Sequence, residues 1–459
     1  MGNKWPEFRL DEITTLIVDC PHSTPEWTDS GVIVLRSNNI RNGALDLATP
    51  SFTTEEGYLE RIKRAIPSEE DIVLTREAPM GEVCIIPKGI KCCLGQRMVL
   101  IRADKSQVIP EYLLYVMQSS YIQHQISWNE GTGTTVSNIR IPNIKALKIP
   151  LPKITIQRTI VSNLLVIDKK IAINTGINQT LEQMSQTLFK SWFVDFDPVV
   201  DNALDAGNPI PEALQSRADL RQKVRNSTDF KPLPAEIRSL FPSEFEETEL
   251  GWVPKGWTLK SVAKSININP SIKLPKNKIA KYVDMKSLPT QGYSISDIIE
   301  KPYSGGAKFQ NNDTLFARIT PCLENGKTGF VDFLDEKETA FGSTEFIVMR
   351  GTPQVHYLYV ACLARESNFR LHAIQNMVGS SGRQRVQNSC FDSFYIAIPT
   401  PAVMSLFSGK VSSYFDKMYF CNLENKSLTT LRDTLLPKLI SGELSLDDLP
   451  DLTTDTEAA

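Results

Sequence analysis

A repeated heptad pattern constrains the fold of this chain more than any other feature of its sequence. Between Thr155 and Phe193, core-type residues recur at alternating spacings of three and four. The pattern returns 247 residues later in an unbroken register, with Asn425 at the position that corresponds to Asn178. Four such heptads predict a long helix that buries one seam against another helix. Two such helices in one chain therefore favour pairing of the two seams with each other.

The predicted core positions of the two helices are mostly apolar, with one asparagine in each. They are Ile160, Leu164, Ile167, Ile171, Asn178, Leu181 and Leu188 in the first helix, and Val411, Tyr414, Met418, Asn425, Leu428 and Leu435 in the second. A buried asparagine costs stability and fixes helix register. The alternative interpretation is two ordinary amphipathic core helices, which the shared register and the matching asparagine disfavour.

Length and composition indicate a globular chain of two or three domains. The chain has 459 residues, of which 41% are hydrophobic and 22% charged, as is ordinary for a globular protein. No apolar run approaches the roughly 18 residues that span a bilayer, and the polar start lacks the apolar core of a secretory signal. The eight cysteines include no CxxC pair, and the four histidines have no metal-ligand spacing. We therefore expect a cytoplasmic protein with free thiols and no metal site.

The net charge of −3 is distributed unevenly. Residues 195–250 carry twelve acids and six bases, and residues 443–459 carry six acids and no base. The rest of the chain therefore has a net charge of +9. This basic excess is compatible with a nucleic-acid-binding surface but does not require one.

The segments outside the helices also repeat, because residues 251–400 follow the plan of residues 1–154. For example, the segment from Asp313 to Arg318 corresponds to that from Asp71 to Arg76, and short apolar runs bounded by turn residues predict strands in both copies. The predicted fold class is α+β, with two similar, strand-rich domains and two long helices that pair as an antiparallel coiled coil in a pseudo-two-fold duplication. The predicted segments are a first domain at 1–154, a central helix at 155–194, a linker at 195–250, a second domain at 251–400, a C-terminal helix at 401–442 and an acidic tail at 443–459.

The sequence contains no catalytic motif that we recognise. Lys327 belongs to a Gly-Lys-Thr triplet, but Pro321 stands where a phosphate-binding loop needs its first glycine. Adenine-methylating, GxSxG and HExxH motifs do not occur. Acidic residues can still converge from distant positions, so a stand-alone DNA methyltransferase or nuclease is the alternative function, and a scaffold that binds only proteins is a third.

Two loops in corresponding positions carry side chains suited to DNA. Arginine pairs with guanine, glutamine pairs with adenine, and hydroxyl groups bind phosphates. The other interpretation of these loops is a pair of flexible hairpin connections, and arginines that follow strands can instead brace their domain. The predicted DNA-binding residues are Arg76, Thr132, Thr134, Thr135, Asn138 and Arg140 in the first domain, and Arg318, Lys327, Ser380, Ser381, Arg383, Gln384 and Arg385 in the second.

Several long stretches resemble one known family. They run from Leu188 to Pro198, from Glu249 to Trp257 and from Leu435 to Leu444, with the segment Phe316 to Lys327 similar to one recurring type of recognition domain and Leu74 to Gly81 similar to another. Together with the duplication, they make the chain resemble the specificity subunit of type I restriction–modification systems over nearly its whole length.

The resemblance implies a non-catalytic DNA-recognition subunit. Each globular domain would read one half of an asymmetric, bipartite site in double-stranded DNA, and the paired helices would fix the unread spacer. Two adenine methyltransferase subunits would dock on the chain, and two restriction subunits, which act as translocase and nuclease, can then join. The resemblance assigns no cofactor to this chain, because S-adenosylmethionine, ATP and Mg²⁺ would belong to the partners. The expected docking faces lie around Lys169, Lys170, Glu182 and Gln183 and around Glu424, Lys426 and Arg432.

Overall fold

The structure, a computed structural model, describes residues 5–129, 138–228, 230–380 and 382–444. The chain divides into two compact units, one formed by Met1–Ala172 with Asn425–Ala459 and the other by Ile173–Glu424. Each unit combines one globular domain with one stretch of each long helix. The units therefore do not follow the chain order, because both long helices cross from one unit to the other.

Twelve α-helices occur in the described residues, and two of them are much longer than the rest. The helices are α1 Glu55–Arg61, α2 Pro110–Gln118, α3 Ser120–Trp128, α4 Ile141–Lys145, α5 Ile154–Phe189, α6 Asp197–Ala206, α7 Gln215–Arg225, α8 Ala235–Arg238, α9 Val262–Ser265, α10 Tyr357–Arg365, α11 Ser367–Gln375 and α12 Pro401–Ser441. Helix α5 continues as a π-helical turn at Lys190–Val194. The long helices α5 and α12 contain 36 and 41 residues.

The strands are short and belong to the two globular domains and one small hairpin. Those of the first domain are β1 Glu7–Arg9, β2 Thr14–Asp19, β3 Val32–Leu35, β4 Ile40–Arg41, β5 Ala44–Leu45, β6 Ser51–Thr53, β7 Ile72–Thr75, β8 Val83–Ile85, β9 Cys92–Leu94, β10 Met98–Ala103 and β11 Lys148–Pro150. Those of the second unit are β12 Phe245–Thr248, β13 Gly251–Pro254, β14 Thr258–Ser261, β15 Asn267–Ile268, β16 Ile279–Val283, β17 Ile299–Pro302, β18 Ala307–Phe309, β19 Thr314–Ala317, β20 Thr328–Phe330, β21 Ala340–Gly342, β22 Phe346–Arg350, β23 Met377–Val378, β24 Arg385–Val386 and β25 Tyr395–Ile398.

The two globular domains share one topology except for an additional strand, β18, in the second sheet of the second domain, and this likeness supports the predicted duplication. In the first domain an antiparallel sheet has the order β2-β10-β7-β8, and a second sheet has the order β6-β3-β9 with β3 and β9 parallel. In the second domain the corresponding orders are β15-β22-β19-β20 and β17-β16-β21-β18, again with one parallel pair, β16 and β21. The pairs β1-β11 and β14-β25 join the two ends of each domain. The α+β fold class is therefore as predicted.

A buried ion pair joins the same two strands in both domains. The fully buried carboxylate of Asp71 accepts hydrogen bonds from Nε and Nη2 of Arg102, both at 2.7 Å. Asp313 accepts the equivalent bonds from Arg350 at 2.6 and 2.7 Å. Two parallel charge-assisted hydrogen bonds fix the orientation of both side chains. Each pair therefore holds the start of one central strand, β7 or β19, against the end of its neighbour, β10 or β22.

The long helices run antiparallel within each unit. In the first unit Arg432 of α12 donates a hydrogen bond to Asp168 of α5 at 3.0 Å, and Ile160 belongs to the same buried cluster as Leu439. In the second unit Asn178 of α5 donates to Asn422 of α12 at 2.7 Å. The residue number thus rises along one helix as it falls along the other, which fits the predicted antiparallel coiled coil.

All predicted coiled-coil core positions are buried or half-buried. Ile160, Leu164 and Ile167 of α5 are buried, as are Val411 and Met418 of α12. Each helix pair also packs against the globular domain of its own unit, since Leu164 shares a buried cluster with residues of α2 and Phe407 shares one with residues of α10. The seam is therefore continuous with the core of each domain.

Residues 195–250 fold onto the second unit with their own helices. Asp197 and Asp201 of α6 pair with Arg217 and Arg221 of α7, with the Nε–Oδ1 distances 2.7 and 3.0 Å. This ladder neutralises part of the segment's acidic excess. All eight cysteines are unpaired, and no helix among the described residues is long and apolar enough to cross a membrane.

Candidate nucleic-acid interface

The second domain presents the predicted arginine loop as a hairpin. Strands β23 and β24 enclose residues 379–384, and the loop begins at Gly379, whose φ of +128° favours glycine. The hairpin is tied to the segment after β19, because the carbonyl oxygen of Gln384 accepts from the amide of Thr320 at 3.1 Å and the amide of Val386 donates to the carbonyl of Arg318 at 2.8 Å. These bonds bring Arg318 and the hairpin together.

The two loop arginines have different surroundings. Arg385 makes a two-pronged ion pair with Glu345, with Nε–Oε2 at 2.9 Å and Nη2–Oε1 at 2.7 Å. This contact lowers the pKa of the Glu345 carboxyl below its ordinary value. Arg383 is exposed, and its guanidinium has no hydrogen-bond partner among the described residues. Arg383 is therefore the available cation of the hairpin, whereas the charge of Arg385 is already balanced.

The remaining hairpin residues are less decisive. Ser380 is exposed and its carbonyl accepts the amide of Arg383 at 3.0 Å, while Gln384 is half-buried and Ser381 lies outside the described residues. Lys327 is half-buried and donates to the carbonyl of Met285 at 2.8 Å. Its ammonium group therefore holds a neighbouring segment of the domain.

The corresponding loop of the first domain is only partly described. Thr132, Thr134 and Thr135 lie outside the described residues, and Asn138 is half-buried. Arg140 is exposed and directly precedes α4. The predicted contacts of this loop thus remain predictions.

An aromatic side chain that sequence reasoning missed stands at the base of this loop. Trp128 ends α3 and is 81% exposed, and its ring stacks on His124 with centroids 6.0 Å apart. Helix α4 lies beside it, since Asn143 donates to the carbonyl of Asn129 at 3.4 Å. The sequence could have indicated this exposed ring. A tryptophan that directly precedes a glycine- and threonine-rich loop has no neighbouring helix seam against which it can pack.

Arg76 and Arg318 occupy equivalent positions after β7 and β19 but have different partners. Arg76 donates from Nη1 to both oxygens of Asp19 at 2.8 Å and from Nε to the carbonyl of Ile139 at 3.0 Å. Arg318 donates from Nη2 to the carbonyl of Val386 at 2.7 Å, and its buried Nε has no partner within the part of the chain that the structure describes. Arg76 therefore braces its domain, which was one of the two roles considered for it, while Arg318 has no carboxylate partner of its own.

Comparison of the sequence with known proteins finds similar proteins over most of the chain. Residues 2–183 match the sequence family described as the type I restriction modification DNA specificity domain. The HindI specificity subunit of Haemophilus influenzae is 25% identical over 374 residues, which cover 76% of this chain and 81% of that protein. The MjaIX specificity subunit of Methanocaldococcus jannaschii is 25% identical over 408 residues, covering 86% and 82%. The chain is similar to type I restriction–modification specificity subunits over most of its length.

A solved relative spans the same length. The crystal structure of the type I specificity subunit from M. genitalium covers 98% of this chain and 97% of its own, with 15% sequence identity and a TM-score of 0.48. No group of three or more acidic, cysteine or histidine side chains suited to a metal ion occurs among the residues that the structure describes.

The outward faces of the two long helices differ in part from those predicted. Glu182 is half-buried, with its carboxylate 4.0 Å from the guanidinium of Arg365, and Arg432 is half-buried against Asp168. The prediction that these two residues face outward was wrong, because each packs against the domain or helix of its own unit. Lys169, Gln183 and Lys426 are exposed, as predicted.

Proposed function

We propose that this chain is the non-catalytic DNA-recognition subunit of a type I restriction–modification complex and reads a bipartite site. The observation that supports this most strongly is the pair of equivalent domains. Each domain packs on its own stretch of an antiparallel helix pair, and the chain is similar to known specificity subunits. Two domains of one topology with different surface residues suit the reading of two different half-sites.

The first half-site would be contacted by Arg140 and the loop before it, together with Trp128. An exposed ring can stack on a base or wedge into a groove, and a guanidinium can bind a phosphate or a guanine. The second half-site would be contacted by the hairpin around Arg383. The two sets share no side-chain pattern, so the recognised site would be asymmetric.

The long helices would set the spacing between the half-sites. A helix of 36 residues is on the order of 54 Å long, and half-sites one helical turn apart are separated by about 34–36 Å. Two methyltransferase subunits would dock on the exposed helix faces that include Lys169, Gln183 and Lys426, and restriction subunits would join the assembled complex. S-adenosylmethionine, ATP and Mg²⁺ would be bound by those partners.

A methylation map tests this proposal directly. The chain is expressed with its neighbouring methyltransferase in a host without such marks, and methyladenine is located by sequencing. We expect two short sequence blocks around a fixed gap. Deletion of one heptad from both α5 and α12 should change the gap and leave the blocks unchanged. A stable complex that adds no methylation would contradict the proposal and favour a protein scaffold.

The enzymatic alternative has its own test. The isolated chain is titrated with S-adenosylmethionine, and the assembled complex serves as the positive control. Binding only by the complex is expected. Tight binding by the isolated chain would contradict a non-catalytic role.

A charge-reversal test probes docking. Lys169→Glu and Lys426→Glu change exposed side chains, so we expect weaker assembly with the methyltransferase and an unchanged melting temperature of the chain. Lys337→Glu, an exposed position of the second domain, is the matched control. Assembly at the wild-type level would remove these faces from the interface.

A further inference from the structure

A groove in the second domain combines one lysine and one arginine side chain without a carboxylate among its lining residues. It has a volume of about 450 Å³ and lies beside the β15-β22-β19 sheet. Its polar lining consists of Asn269, Ser271, Lys308, Arg318 and Thr344. Two cations and three neutral polar groups in one groove are suited to a singly or doubly charged anion.

Neither cation is balanced by a carboxylate of its own. Within the described ranges Arg318 makes one side-chain hydrogen bond, to the Val386 carbonyl, and its buried Nε has no partner there. Lys308 is half-buried and has no hydrogen-bond or ion-pair partner among the residues that the structure describes. The carboxylate of Glu345 also acts electrostatically on Arg318, but both of its oxygens already accept hydrogen bonds from Arg385. The groove therefore keeps an unbalanced positive charge.

The strand pairing explains why the first domain has no such charge. Strand β2 continues to Asp19, which is paired with Val99 in β10 and reaches Arg76. The equivalent strand β15 ends at Ile268, because Asn269 takes a positive φ of +50° and Pro270 has no amide hydrogen to donate. Counting onward from the paired residues of β15 and β2, Pro270 corresponds to Asp19. The replacement of an acid by proline leaves Arg318 unpaired.

The walls of the groove are built by close packing. A Cβ atom at Gly306 would collide with the carbonyl oxygen of Gly342, so the chain passes there only as glycine, with φ at +113°. Two residues later Lys308 lies on β18, which pairs with β21. On the other side, the side chain of Asn269 accepts the amide of Val348 at 2.9 Å and fixes the end of β15. Both walls are thus ordered before any ligand arrives.

We propose that this groove binds a phosphate of the DNA backbone and positions the second domain on the duplex without reading its sequence. The inference rests on the proposed function. A phosphodiester carries the single negative charge and the acceptor oxygens that Arg318, Lys308 and Thr344 can contact. Phosphate contacts fix register and orientation, while sequence is read elsewhere, here by the hairpin around Arg383. The first domain lacks this contact, because the guanidinium of Arg76 is already paired with the carboxylate of Asp19.

The test uses the assembled methyltransferase complex and two DNA duplexes, one with the mapped site and one with that site scrambled. Affinity is measured at several salt concentrations for Lys308→Gln, Arg318→Gln and Arg318→Lys. Each loss of a phosphate contact should make the slope of log affinity against log salt shallower by about 1. We expect about tenfold weaker binding for the two glutamine variants, on both duplexes alike, and recovery in Arg318→Lys. The methylated sequence should not change.

Lys337→Gln removes the same charge from an exposed position whose side chain is 88% accessible, and it should leave the slope unchanged. Because Arg318→Gln also removes the bond to Val386, the melting temperatures of the variants are compared, and Lys308→Gln alone decides the outcome if Arg318→Gln is unstable. A wild-type slope in Lys308→Gln would overturn the proposal, and so would an altered second half-site in the methylation map. No salt-sensitive binding by the wild-type complex would instead refute the proposed function.

Discussion

The two units of this protein are built on one plan but use equivalent polar positions differently. Both retain a buried Asp–Arg pair between corresponding strands, Asp71 with Arg102 and Asp313 with Arg350. After those strands, however, Arg76 is balanced by an acid and Arg318 is not. The two domains therefore share a framework together with its structural ion pair. The second arginine braces the first domain, where an acid lies beside it, and is available for binding in the second domain, where that acid is absent.

The helix pairs show a similar divergence. In the first unit Asp168 accepts hydrogen bonds from both Arg432 and Tyr115, the latter at 2.6 Å. In the second unit the seam contains the Asn178–Asn422 hydrogen bond, and Oδ1 of Asn178 is buried without a partner among the described residues. One seam is therefore tied to its globular domain by charge, and the other carries an incompletely satisfied amide.

The largest effect is expected where the two units agree. Asp71→Ala and Asp313→Ala each remove two charge-assisted hydrogen bonds to a partly exposed arginine, and we expect a loss of about 3 kcal/mol in each. Denaturant unfolding of both variants should show similar losses in the free energy of unfolding. A loss in only one domain would mean that the shared pair has a structural role in that domain alone. Glu336→Ala, at an exposed carboxylate, is the control.

Substitution of the two equivalent arginines, Arg76 and Arg318, should affect stability to different extents. Arg76→Ala removes the two hydrogen bonds to the Asp19 carboxylate and the one to the Ile139 carbonyl, so we expect a loss of about 2 kcal/mol in unfolding free energy. Arg318→Ala removes one hydrogen bond together with an unpaired buried Nε, and its stability loss should stay below about 1 kcal/mol. Thermal unfolding measures the difference. Equal losses in unfolding free energy would contradict the view that Arg76 braces its domain while Arg318 does not.

One pH effect should arise from a buried carboxyl group of the second unit that has no counterpart in the first. Burial raises the pKa of Asp332 to about 6 from an ordinary value of 3.8, whereas strand pairing places Pro87 at the equivalent position after β8. A raised folded-state pKa favours the protonated form, so its stabilising effect is present below about pH 4 and is lost as the pH rises through 6.

Asp332→Asn should therefore stabilise the protein by about 2 kcal/mol above pH 7 and have little effect at pH 4. Unfolding free energies at the two pH values measure this difference. Pro87→Asn is the matched substitution in the first domain, and we expect it to show no comparable dependence on pH. The same gain at pH 4 and pH 7 would mean that ionisation of Asp332 is not responsible.

The smallest effect concerns the seams. Replacement of both Asn178 and Asn422 by Leu should raise the unfolding free energy by about 1 kcal/mol, since a polar core position costs stability while fixing register. Arg432→Leu in the other unit should instead lower it, because Asp168 loses its cation. Denaturant midpoints decide this, and a loss in the double leucine variant would show that the asparagine pair is stabilising.

Much of the fold could be predicted from local patterns. The 3,4 spacing predicts α5 and α12, and the apolar runs at Ile72–Thr75 and Phe346–Arg350 predict β7 and β22, since both signals depend only on neighbours along the chain. The same patterns could not show that Glu182 turns inward, because that depends on which domain packs beside the helix. The exposed Trp128 was readable in principle and was missed.

The sequence by itself determined the duplication, the two helix seams and the family resemblance, because periodicity and repeated order are properties of the chain. Only the tertiary structure decided which charges are available. Asp19 and Arg76 are 57 residues apart, and the counterpart of Asp19 becomes visible as Pro270 only after strand pairing sets the register. Charge balance depends on distances of a few ångströms between remote residues, and no local pattern records those distances.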